Sequence, residues 1–69
     1  MKLIEQVTLL FQEGKRDKVY EVDLLEVGAG QYVVNFRYGR RGTALKDGTK
    51  TPAPVNMAEA RRTFDKLTL

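Results

Sequence analysis

The chain has 69 residues and a formal net charge of +3, enough for one domain with a small core. It contains no cysteine and no histidine, which excludes disulfides, thiolate nucleophiles, histidine-based catalytic triads and the usual zinc ligand sets. No run approaches the roughly 18 apolar residues of a membrane span, and Glu5 interrupts the apolar start where a signal peptide would need continuity. A cytoplasmic protein with no membrane partner and no cofactor is expected.

Leu3 to Gln12 reads as a first strand, with Val7, Leu9 and Phe11 on one face and Ile4, Gln6, Thr8 and Leu10 on the other. Glu13 to Asp17 is a polar, glycine-containing loop of hairpin length. Lys18 to Val27 reads as a second strand that buries Tyr20, Val22 and Leu24 and leaves Glu21 and Asp23 in water. Gly28-Ala29-Gly30 turns the chain into a third strand, Gln31 to Tyr38. There Tyr32, Val34, Phe36 and Tyr38 face the core, and Val33, Asn35 and Arg37 face away. Gly39 and Gly42 bracket Arg40-Arg41 as a turn into a fourth strand at about Arg41 to Leu45. Asp47-Gly48 is a turn signal, and Thr51-Pro52-Ala53-Pro54 is a stiff extended connection.

A helix is expected from Asn56, a favoured N-cap with Glu59 three residues on in capping-box position. Met57, Ala60, Phe64 and Leu67 share one face. Nothing in the sequence stops the helix before Leu69; a single domain, residues 1–69, excised from a longer multidomain protein in mid-helix is one expectation, and a helix fraying at a natural terminus is the other. The expected fold class is α+β: a four-stranded antiparallel sheet with one C-terminal helix packed on one face.

Charge is distributed unevenly. Residues 1–36 carry four basic and six acidic groups, whereas residues 37–50 carry Arg37, Arg40, Arg41, Lys46 and Lys50 against Asp47 alone. Clustered cations beside an aromatic ring and flexible glycines are suited to phosphate, with the ring free to stack on a base or sugar. The candidate nucleic-acid-binding residues are therefore Arg37, Tyr38, Gly39, Arg40, Arg41 and Lys46. A solvated hairpin tip is the plain alternative for the same residues.

Other patterns are weaker. Gly39-Arg40-Arg41-Gly42 has the GxxG spacing of a KH loop, but it follows a strand instead of joining two helices. Gly42 to Lys50 has the wrong order and spacing for a P-loop. Glu21 and Asp23 would lie about 7 Å apart on one strand face, but a solvated sheet face explains them without catalysis. Arg61 and Arg62 read as a wet helix face.

With Tyr38-Gly39-Arg40 in view, the sequence resembles the WGR domain, a family named for a Trp-Gly-Arg motif followed shortly by glycine. The resemblance extends over Tyr20 to Glu26, Tyr32 to Val34, Asn35 to Gly42, and the helix residues Ala58-Glu59-Ala60, Phe64, Lys66 and Leu67. WGR domains occur in DNA-damage-sensing poly(ADP-ribose) polymerases and in bacterial proteins similar to the molybdate-metabolism regulator, and the flanks here are of the bacterial type. The resemblance implies that Tyr38 packs against a nucleotide at a DNA end and that Arg40 contacts DNA and neighbouring domains. Tyrosine stands where the family has tryptophan and offers less stacking surface.

Two functions are therefore expected. The first is a non-catalytic module contacting nucleic acid, DNA before RNA, at its backbone or ends. The alternative is a protein-interaction or regulatory module docking on an adjacent domain of the parent protein.

Overall fold

The computed structural model covers residues 1–69. Four strands, β1 (Lys2–Glu13), β2 (Arg16–Gly28), β3 (Gln31–Arg40) and β4 (Lys46–Thr49), are followed by one helix, α1 (Met57–Thr68). The strands form one antiparallel sheet in the order β1-β2-β3-β4, the α+β arrangement of a four-stranded sheet with a C-terminal helix. No helix is long and apolar enough to cross a membrane.

The first two strands run further than the polar residues at their ends suggest. The expected loop at residues 13–17 tightens to the two residues between Glu13 and Arg16. Gly14, at φ 60°, is what makes so short a turn possible. β1 also carries an irregularity between Leu3 and Glu5. It shifts Ile4, expected opposite Val7, Leu9 and Phe11, so that it packs against the core.

The fourth strand lies elsewhere than expected. Residues 41–45 form a loop, and the strand is Lys46–Thr49, with Gly48 paired to Phe36 and Asp47 to Arg37. Asp47-Gly48 is therefore strand interior, not a turn. The Phe36 ring explains the glycine: a Cβ at Gly48 would lie 2.6 Å from Phe36 Cζ. An aromatic side chain occupies the space that any other residue would need.

Beyond β4, Val34 N–H donates to Thr51 Oγ1 at 3.0 Å and Lys50 N–H to the Val34 carbonyl at 2.9 Å. Across the prolines, Tyr32 and Val55 exchange two backbone hydrogen bonds of 2.8 Å, which fix the chain's entry into α1. Asn56 caps the helix, accepting from the Glu59 N–H at 2.8 Å. The buried cluster joins Val22 and Leu24 of β2 and Val34 of β3 to Ala60 and Phe64 of α1, with Tyr20, Tyr32 and Leu67 packed around it. Met57, expected on the same stripe, is exposed.

Candidate nucleic-acid interface

Strand register sets the site. Along β1, β2 and β3, Phe11 pairs with Lys18 and Lys18 with Arg40. The next row toward the core joins Leu9, Tyr20 and Tyr38, and Tyr38 pairs with Lys46 of β4. The row after that joins Val7, Val22, Phe36 and Gly48. Paired residues of an antiparallel sheet share a face, so all these side chains rise from the face that carries the core. One end of that face is the buried cluster. The other end is open.

The open end is aromatic. Tyr20, Phe36 and Tyr38 group with ring centroids 6.0 Å apart (Tyr20–Phe36), 6.0 Å (Phe36–Tyr38) and 6.5 Å (Tyr20–Tyr38), within the range of favourable ring contact. Lys50 Nζ sits 5.2 Å from the Phe36 centroid, a cation–π contact. Tyr38 remains 43% exposed and Phe11 56%. Between them lies a hollow of about 450 Å³ whose lining includes Phe11, Lys18, Tyr20, Tyr38, Arg40 and Lys46. No carboxylate lines it.

The loop at the rim is held in place by its backbone. The Arg40 carbonyl accepts from Thr43 N–H at 3.1 Å and from Thr43 Oγ1 at 2.7 Å. Arg41 N–H donates to the Asp17 carbonyl at 2.8 Å. Gly42 takes φ 86° to turn the chain. Gly39 lies against Leu45, where a Cβ would come within 3.1 Å of Cδ2. The arginine side chains thus project from an anchored tip.

Five of the six candidate residues, Tyr38, Gly39, Arg40, Arg41 and Lys46, gather at this end of the sheet. Arg41 is exposed on the loop but outside the lining of the hollow. Arg37 goes the other way. On the opposite face its Nη1 donates to Asp23 Oδ2 at 2.8 Å and its Nη2 to Oδ1 at 3.3 Å, with Nε 3.6 Å from Glu21 Oε1. Gln6 Nε2 adds a bond to Asp23 Oδ1 at 2.7 Å. Burial alone would raise the Asp23 pKa, but the bonds from Arg37 and Gln6 and the Arg37 charge outweigh it and hold it below the ordinary carboxylate value. The same hydrogen bond raises the Arg37 pKa. Glu21 and Asp23, the carboxylate pair weighed against catalysis, are occupied in neutralising this arginine.

On the helix, Arg61 Nη1 donates to Glu5 Oε1 at 2.8 Å. Arg37 and Arg61 are the basic side chains with ion-pair partners; Lys18, Arg40, Arg41 and Lys46 have none.

Phe11, Lys18 and Tyr20 belong to the hollow without having been candidates. Part of their signal was in the sequence: reading Gly14-Lys15 as a two-residue turn places Phe11 opposite Lys18, while the row reaches Arg40 through the irregularity of β2 between Glu26 and Gly28. No protein-family model, curated protein or solved structure matches the chain.

Proposed function

We propose that the chain is a WGR-like, non-catalytic module that binds nucleic acid, contacting the backbone or an end through the Tyr38-Gly39-Arg40-Arg41-Gly42 turn. On this reading α1 packs on one face of the sheet and leaves the far end of that face for the ligand. The observation that carries it is the carboxylate-free hollow, where Arg40, Lys46 and Lys18 stand unpaired beside the exposed ring of Tyr38. Unpaired cations supply the phosphate affinity, and the ring supplies a surface for a sugar or base. Sequence reading is not expected, because no helix is offered to a major groove.

The test is titration of a DNA duplex with a recessed end, followed by NMR shift mapping at low and at physiological salt. Shifts centred on Tyr38 to Lys46 that fade with salt are expected. Arg40→Gln and Arg41→Gln should each lower the slope of log affinity against log salt by about one. Arg37→Gln should leave that slope unchanged, since Arg37 is engaged on the other face. Absence of shifts at low salt would overturn the reading.

Docking on an adjacent domain is favoured by one feature, the pairing of two exposed aromatic rings with arginine, a composition common at protein interfaces. It predicts shifts at the same residues with an isolated neighbouring domain and none with DNA.

A further inference from the structure

We propose that the hollow receives an unpaired stretch of a nucleic-acid strand, and that its stacking surface reaches across the sheet from Tyr38 to Phe11 on β1. This rests on the nucleic-acid reading above and adds the ligand's form and a second set of residues, Phe11, Lys18 and Tyr20.

Three observations carry the proposal. The aromatic surface comes from three strands, not from the turn alone: Phe11 from β1, Tyr20 from β2, and Phe36 and Tyr38 from β3. Its two ends, Phe11 and Tyr38, are the most exposed rings. Cations border it along its length, with Lys18 and Arg40 in the row of Phe11 and Lys46 in the row of Tyr38. A strand lying across the sheet would therefore meet positive charge at each step.

The shape selects the form of the ligand. A duplex shows phosphates along its length but hides its base faces between neighbours. It could satisfy Arg40, Lys18 and Lys46 and would leave the rings uncovered. An unpaired strand offers both a flat apolar face and a phosphate at every residue, the combination that aromatic and cationic side chains together bind without regard to sequence. The volume, about 450 Å³, falls in the range of pockets that enclose a small molecule, about 300–1,000 Å³. That suits a base with its sugar and not a double helix. The lining offers few neutral hydrogen-bonding side chains, Thr43 among them, so stacking is expected to dominate over base reading.

The experiment uses the whole chain and fluorescently labelled homopolymers of about ten nucleotides, one of deoxythymidine and one of uridine, beside a blunt DNA duplex of similar length. Either single strand should bind about fivefold or more tightly than the duplex. Phe11→Ala should weaken single-strand binding by about fivefold or more and leave both the salt slope and duplex binding unchanged, as expected for a lost stacking surface. Phe11→Tyr should restore the affinity. Lys18→Gln should lower the salt slope by about one. Phe11 is mostly in water, so the folded state should survive these changes, and circular dichroism checks it.

If the duplex binds as tightly as the single strands, or Phe11→Ala leaves single-strand affinity intact, the proposal is overturned while salt-sensitive duplex binding keeps the broader function. If no nucleic acid binds at low salt, both fall together.

Discussion

At the scale of single residues, the most consequential charge is Asp23. It is almost fully buried in mid-sheet and satisfied by Arg37 and Gln6. Its pKa is lowered on folding. Stability from this group is therefore present above the unfolded carboxylate value, near 3.9, and is lost as pH falls through the lower folded value. Asp23→Asn removes the charge that Arg37 and Gln6 were arranged to meet and should cost about 2 kcal/mol at neutral pH. Its urea midpoint should also fall less steeply than wild type's below about pH 4. Nucleic-acid affinity should not change, because Arg37 has no route to the hollow. The assignment of Arg37 to the binding turn came from its place beside Tyr38 in the chain. Alternation in a strand sends adjacent side chains to opposite faces, so a window of clustered charge in the sequence can combine two surfaces that never meet.

At the scale of elements, β4 shows where local signals lose. Asp-Gly is a strong turn pair, yet Gly48 lies in a strand because Phe36 needs its space. The requirement comes from a residue 12 positions earlier and leaves no trace in local pattern. Gly48→Ala should cost about 1–3 kcal/mol, since the ring or the strand must move. Because Lys46 pairs with Tyr38 on the same strand, that substitution should also shift the Tyr38 resonances, which thermal denaturation and NMR of one variant would test together. The helix start was legible because capping is local: Asn56 and Glu59 are three residues apart and meet as the pattern requires. Asn56→Ala should cost about 1 kcal/mol by the same measurement. β2 and β3 were legible because alternation of large apolar side chains over a long strand admits one register; Asp23, expected in water on the other face of β2, is buried there instead because Arg37 and Gln6 satisfy it. The hollow was not, because Phe11, Lys18 and Arg40 come from three strands and meet only through the pairing.

At the scale of the whole molecule, the buried cluster and the hollow proposed for binding occupy opposite ends of one sheet face. Seven of the 69 residues are buried, and five of those form the apolar cluster. A chain of this size has about 3–10 kcal/mol of stability in total. Phe64, 1% exposed, is the largest fully buried side chain. Phe64→Ala should cost about 3–5 kcal/mol, the usual range for emptying a core aromatic site, which is a large part of the whole. The melting temperature should drop by about 12 °C or more. Arg40→Gln and Phe11→Ala act on exposed side chains without ion-pair partners and should move it by only a few degrees. Binding should show the reverse order: below its melting temperature, Phe64→Ala should keep the wild-type affinity and salt slope, while Arg40→Gln and Phe11→Ala weaken binding. Scanning calorimetry and fluorescence titration on the same three proteins test the separation. A loss of affinity in folded Phe64→Ala would mean that the cluster and the hollow are coupled through β2 and β3, and that the site depends on the helix as well as on the strands that carry its side chains.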